Sequence, residues 1–312
     1  MLGPLGLIVK FANGYQRRSN MGARHESVSE AARNRLINEM NRYLEALDAR
    51  DVRRLRLAPN LRCTENTRTL PPGSGLWRTI RGRRSPGHYF VDEVGGQVEY
   101  WSTIDEMGAA AIYGVRLRIE GRLISEIETL VLRGAGRYFA PDAVVASPVE
   151  FHEVIPPEER VPREQLIRVA NLYFDAIELD DASRLPVADS CRRLVNGILD
   201  SKMDPSEVAK LDKSEAHRAL GVAEQITAGH YAYIEALRAR RYPIVDEARG
   251  IVLAHVMFDH PGDLKRADGE VPMRSPNSML AYEVFKVRKG VLSEVWAIGG
   301  ALPYGIDSGW PT

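Results

Sequence analysis

The chain contains a second copy of its own pattern. Leu36 to Asn66 aligns with Leu166 to Asn196 at a constant offset of 130 residues, without a gap. Leu36/Leu166, Ile37/Ile167, Tyr43/Tyr173, Ala46/Ala176, Asp51/Asp181, Leu55/Leu185, Ala58/Ala188 and Asn66/Asn196 are identical pairs. Downstream, Gly87-His88-Tyr89 matches Gly229-His230-Tyr231, Val91-Asp92-Glu93 matches Val245-Asp246-Glu247, and Gly96 and Asp105 match Gly250 and Asp259. Ser125-Glu126 then matches Ser293-Glu294, and the offset has grown through 142 and 154 to 168. A fixed order of identities with growing offsets is the mark of a duplication whose second copy carries insertions. With 312 residues, against roughly 100–200 per domain, the expectation is two domains. The boundaries read as an extension over 1–27, a first domain over 28–133, a proline-rich linker over 134–163 and a second domain over 164–312. The insertion, about 200–228, is polar and reads as a helical excursion on the surface.

Each copy starts with a helix and continues as strands. Leu36, Ile37, Met40, Tyr43, Leu44 and Leu47 recur at helical spacing, which predicts a helix over 28–49, and the second copy predicts one over 164–179. Leu61 to Thr69 reads as a strand, followed by strands over 97–104, 110–119 and 123–132. Their counterparts fall at 190–196, 251–259, 279–288 and 291–300. Helices first and strands after make an α+β chain. Tyr138, Phe139, Phe151 and Ile155 in the linker are apolar enough to pack onto both copies.

Composition narrows the function. The 42 Lys and Arg balance the 42 Asp and Glu, and a neutral chain lacks the basic excess that nucleic acid needs. No run of 18 apolar residues predicts a membrane span. Leu2 to Val9 is as long as a minimal signal core, but no basic residue precedes it, so a disordered extension is expected, with Met21 as an alternative start. Two cysteines, Cys63 and Cys191, make neither a disulfide framework nor a zinc cluster, and a cytoplasmic location is expected. Phosphate-loop, HExxH, paired CxxC and GxSxG patterns are missing from the sequence, so those templates fail.

The helix phrase YLEALDARDVRRL and the late strand phrase RIEGRLISEIETL, in this order, resemble the nuclear transport factor 2-like superfamily. It includes polyketide-cyclase-like proteins, ketosteroid isomerase and scytalone dehydratase. The phrases VDEARGIV, MFDHPG and ALPYGIDSGW resemble a tandem two-copy subfamily. The resemblance implies two cone-shaped domains, each with helices packed in a strongly curved antiparallel sheet, and fused as an internal pseudo-dimer with homo-oligomerisation left open. It also implies acid–base chemistry with no metal or cofactor, a lyase first and an isomerase or cyclase second, on an aromatic or polycyclic hydrophobic molecule. A non-catalytic ligand-binding or scaffold protein is the other class.

Within the strand IVLAHVMFDH, alternation puts Leu253, His255, Met257 and Asp259 on one face. A polar face on a central strand suits a cavity lining, so His255 is the first candidate acid or base, with Asp259 beside it and Met257 against substrate. The matching position in the first copy is Trp101, which favours the second copy as the catalytic one. Tyr173 on the helix is the second catalytic candidate, by its rough match to superfamily tyrosines. Arg193 and Asn196 are candidates for binding an oxyanion or a polar substrate group, as is His230. Tyr304 follows the last strand and is expected to fold over the pocket mouth.

Overall fold

The computed structural model of the protein describes residues 30–134, 138–146 and 151–311. The expected extension over 1–27, with Met21, lies outside them. The first half runs helix α1 (30–48), β1 (Leu57–Glu65), β2 (Arg68–Thr69), a short α2 (Leu76–Thr79), β3 (Ile80–Asp92), β4 (Gln97–Glu106), β5 (Ala109–Glu120) and β6 (Leu123–Leu132). After α3 (Pro141–Val145), the second half runs α4 (Arg163–Leu179), β7 (Val187–Val195), β8 (Ile198–Leu199), short α5 (Pro205–Val208) and α6 (Val222–Thr227), β9 (Ala236–Asp246), β10 (Ile251–His260), β11 (Asn277–Arg288) and β12 (Val291–Pro303). The result is an α+β structure with two six-stranded sheets, ordered β2-β1-β6-β5-β4-β3 and β8-β7-β12-β11-β10-β9.

The sheets are mixed, where antiparallel ones were expected: β1 runs parallel to β6, and β7 to β12. Only hairpin-linked neighbours must be antiparallel, and these pairs are joined through the rest of the sheet. The long edge strands β3 and β9 were also not expected. Their sequences, IRGRRSPGHYFVD and ALRARRYPIVD, are rich in arginine and each carries a proline. An edge tolerates both, because one side of the strand makes no ladder bonds.

Both helices bury their repeated stripe. Leu36, Met40, Tyr43, Leu44 and Leu47 of α1, and Leu166, Ala170, Tyr173, Phe174 and Ile177 of α4, pack on the inner faces of their own sheets. The Tyr89 hydroxyl donates to Asn41 Oδ1 at 2.6 Å, and the Tyr242 hydroxyl donates to Asn171. Tyr89 therefore corresponds to Tyr242. The Gly-His-Tyr match at offset 142 is not a structural equivalence, because His88 lies within β3 whereas His230 lies in the turn before β9.

The outer faces of the two sheets pack on each other. Phe90, Trp101, Ile112, Leu130 and Leu132 from the first meet Ile244, Leu253, Met257, Tyr282, Val284 and Trp296 from the second. Trp101 and Trp296 meet edge to face, with centroids 4.9 Å apart. Phe139 and Phe151 of the linker join this layer, and Ile155 is buried. Gly114 lets the sheets approach: a Cβ there would come within 2.8 Å of Ile298 Cδ1 and 3.2 Å of the Tyr282 ring.

A charged network lies inside this apolar layer. His255 Nε2 is 2.9 Å from Glu99 Oε2, and its Nδ1 is 3.1 Å from Glu128 Oε1. Arg116 donates to Glu128 at 2.9 Å, and Arg241 donates to the same carboxylate. Burial pushes the Glu128 carboxyl up, but His255, Arg116 and Arg241 more than reverse this and hold it well below the usual carboxylate range. Trp310 closes the network. It lies under the guanidinium groups of Arg62 and Arg116, each 4.8 Å from its ring centroid, and of Arg241, and its indole donates to Thr64 Oγ1 at 3.0 Å.

Candidate active site

A cavity of about 380 Å³ opens on the inner face of the second sheet. That is within the range of small-molecule sites, roughly 300–1,000 Å³. Small residues make the space. Ala281 on β11 and Ala297, Gly299, Gly300 and Ala301 on β12 line it. Cross-strand register puts Tyr113 where Ala281 stands and Val115 where Glu283 stands: Val115 pairs with Thr129 in the first sheet, and Glu283 with Ala297 in the second. In the first half Tyr113 fills the core alongside Tyr43 and Trp77, whose rings meet at 5.6 Å. Ala281→Phe is therefore expected to close the cavity and leave the fold standing. Titration with an environment-sensitive naphthalene dye and thermal unfolding test this. Undiminished dye binding by a folded variant would count against it.

The insertion runs over the surface at 204–213, where Val208 alone is buried, and its later part walls this cavity. Ser214, Glu215 and His217 line it, and Val222, Gln225 and Ile226 are buried behind. The deep end is polar. Arg193 on β7 is ion-paired with Asp200, donates to Gln225 Oε1 at 3.0 Å, and lies 4.7 Å over the Tyr231 ring. Its Nη1 is 3.5 Å from the Tyr173 hydroxyl oxygen. The cavity buries Asp200, which raises its carboxyl, but Arg193 and His217 outweigh this and bring it to about 2. Burial raises the Tyr173 hydroxyl far above its ordinary value, so it stays a neutral donor. His217 and His230 stack at 3.8 Å, and burial together with His217 brings His230 down to about 3.

Glu283 is the residue that the sequence reading missed. It sits on β11 in phase with Met279 and Ala281, lines the cavity and is 5% exposed. One of its carboxylate oxygens, Oε2, has no hydrogen-bond partner. Burial pushes its carboxyl up to about 7, with Arg193 pulling the other way. The available signal was a lone glutamate inside the apolar run LAYEVFKV. His260 also lines the cavity, with its ring stacked on Tyr233, and burial lowers its pKa.

Of the expected residues, Tyr173, Arg193, Asn196 and His230 line the cavity. His255, Met257 and Asp259 do not, because their face of β10 is the outer one. All ten residues of β10 are buried, so the strand is covered on both sides, and the cavity takes Phe258 and His260 from the other face. His255 is 1% exposed within the inter-sheet network, stacked on Tyr282 at 3.6 Å. Met257 is buried in the apolar layer around it. Asp259 accepts from Arg238 and from Ser278, each at 2.5 Å. Burial raises its carboxyl, but these two partners bring it below its ordinary value, so it serves as a fixed anion. Tyr304 is 44% exposed and donates to Glu235, away from the cavity lining.

Asn196 lines the cavity, but its amide is already used. Its Nδ2 donates to the Gly299 carbonyl and its Oδ1 accepts the Gly299 N–H, both at 2.9 Å. Asn66 makes the same pair with Val131, at 3.0 and 2.8 Å. Both asparagines have positive φ, 48° and 51°, a region that asparagine tolerates better than most residues. The shared asparagine is a clamp that extends the parallel pairing. Asn196→Ala is expected to lose about 2–3 kcal/mol, since two buried backbone groups lose their partners. Denaturant titration would show this, and a loss under about 0.5 kcal/mol would refute the clamp.

No helix among the described residues is long and apolar enough to cross a membrane. Residues 159–299 match the family model described as "Domain of unknown function (DUF8021)". No curated protein matches the chain. Among solved structures, AusH from Aspergillus nidulans is 14% identical and covers 45% of this chain and 86% of its own, with a TM-score of 0.28. The BvnE pinacolase from Penicillium brevicompactum is 15% identical and covers 44% of this chain and 84% of its own, with a TM-score of 0.27.

Proposed function

We infer that the second-half cavity is the active site of a cofactor-independent enzyme that moves a proton on an apolar small molecule, with Glu283 as the base. One observation carries this reading: a buried carboxyl with a pKa of about 7 and an unpartnered oxygen lines an otherwise largely apolar cavity. A base near neutral pH is ionised often enough to act and basic enough to take a carbon-bound proton. Tyr173, neutral and held by Arg193, donates to the substrate oxygen on which charge develops. Expulsion of a hydroxide from the carbon next to the resulting carbanion, protonated as it leaves as water, makes the reaction a dehydration, the lyase form we favour. If the base takes a hydroxyl proton instead, the oxygen's electron pair forms a carbonyl, the carbon–carbon bond breaks, and its electron pair leaves on the second fragment as an enolate that then takes up the proton. Return of the proton to another carbon makes it an isomerase step with the same base, and attack of the carbanion on a carbonyl carbon of the same molecule, whose oxygen then takes the proton, makes it a cyclase step. An aromatic or polycyclic substrate suits the walls of Phe258, Tyr231, Tyr233 and Met279. Two fused cone-shaped units, packed as an internal pseudo-dimer, and a reducing cytoplasmic setting for the free thiols of Cys63 and Cys191 belong to the same proposal.

5-Nitrobenzisoxazole tests the base without knowledge of the natural substrate. A carboxylate takes its ring C–H proton, the C–H electron pair becomes the nitrile bond, and the N–O bond breaks to give a coloured phenolate. Turnover is expected to rise with pH through about 7 and to be lost in Glu283→Gln. Equal turnover by that variant would leave a ligand-binding protein without the proposed chemistry.

A further inference from the structure

The first half carries a groove that neither the cavity nor the fold accounts for. Helix α1 forms one wall with Asn34, Arg35, Asn38, Glu39 and Arg42, and the opposite wall is Arg56 with the Gly121–Arg122 turn between β5 and β6. The depression measures about 460 Å³. Its second wall is tied down, because the Ile124 N–H donates to the Arg56 carbonyl at 2.8 Å. All four arginines are exposed. Arg42 pairs with Glu39 at 2.5 Å, while Arg35, Arg56 and Arg122 have no ion-pair partner among the described residues. Three uncompensated positive charges therefore share one depression in a chain whose net charge is zero.

Like charges held together repel and cost stability, so the fold gains nothing from this arrangement. The second half confirms that the fold does not require it. At the equivalent positions Arg35 becomes Gln165, Arg42 becomes Leu172, Arg56 becomes Pro186 and Arg122 becomes Gly290. Asn38 becomes Arg168 and Gly121 becomes Lys289, the two basic replacements, and Lys289 lies 4.0 Å from Glu159 Oε1. That corner is also closed in the second half: a Cβ on Gly290 would lie 2.5 Å from Gln165 Nε2. What two equivalent folds do not share is not demanded by either.

We propose that this groove is a binding site for a compact phosphoanion, either free polyphosphate or the phosphate group of a small molecule. Guanidinium groups present forked donors that match phosphate oxygens, and several around one concavity suit an anion of more than one charge. The concave, two-walled shape fits a compact group, whereas an extended polymer needs a basic stripe that continues beyond it.

Titration calorimetry of the full chain with inorganic pyrophosphate tests the site. Binding of one pyrophosphate per chain is expected, weakening as salt rises. Arg56→Gln with Arg122→Gln should weaken it by about tenfold or more, since two forked contacts are lost. Both side chains are exposed, so thermal unfolding and 5-nitrobenzisoxazole turnover should stay as in the parent; an unchanged melt shows that the variant is folded. A small-molecule phosphate ester binding more tightly than pyrophosphate at the same arginines would identify the ester as the source. Absence of saturable pyrophosphate binding, or equal binding by the folded double variant, would overturn the proposal. Tighter binding of a single-stranded RNA through the same arginines would overturn it in favour of a polymer.

Discussion

Glu283→Gln is expected to lower turnover by roughly 100-fold or more while making the protein more stable at alkaline pH. The two effects share one cause. Burial raises the folded-state pKa of Glu283 to about 7, above its ordinary 4.5. The folded state therefore holds this proton more tightly than the unfolded one. Its stabilising contribution is complete below about pH 4.5, falls as pH rises towards 7, and is gone above that. At about pH 8 the parent holds a buried carboxylate with an unpartnered oxygen, and glutamine removes that charge. The variant should gain on the order of 2–3 kcal/mol there and little at about pH 4. Denaturant titrations at the two pH values check it. A variant that is less stable than the parent at both would mean that Glu283 is held by contacts that glutamine cannot replace.

Glu128→Ala is expected to produce the largest loss of stability, about 3–5 kcal/mol at neutral pH. It leaves Arg116, Arg241 and His255 in the inter-sheet layer without their shared carboxylate. Removing one partner of a buried ionic group costs more than the group contributes, because the remaining charges stay desolvated. The pH window is opposite to that of Glu283. The Glu128 carboxyl lies well below its ordinary value, so its contribution is present above about pH 4.5 and fades as pH falls through the lowered folded-state pKa. Chemical denaturation at neutral pH tests it, and a loss under about 1 kcal/mol would show that the neighbouring Glu99 and Glu126 take over. His255 belongs to this structural network, so its replacement should read out in stability.

The sequence carried the helices and the central strands because each has its own periodic signal. The stripe Leu36, Met40, Tyr43, Leu47 needs only one partner surface, and the pattern names it. The edges were hidden because β3 and β9 hold arginines and a proline that an edge accepts and a periodicity search rejects. The facing of β10 was hidden for the opposite reason. Alternation assigns a core side only when the other side is wet, and here the polar side of the strand meets Glu99 and Glu128 of another sheet. Nothing within ten residues of His255 announces those partners. Tyr173 and Arg193 were placed at the cavity, while Glu283 was passed over because a single glutamate in an apolar strand reads as an outward-facing residue until register shows Ala281 and Ala297 beside it.

The sheet-on-sheet layer also sets an order of events during synthesis. Phe90, Trp101, Ile112 and Leu130 are made long before the residues that cover them: Glu99 precedes His255 by 156 positions, and Glu128 precedes Arg241 by 113. At roughly 5–20 residues per second, the ribosome carries an uncovered apolar face for several seconds or more. A neighbouring nascent chain offers the same face. Crowded polysomes should therefore favour pairing between first halves of different chains, and slow translation through the second half should lower the soluble yield.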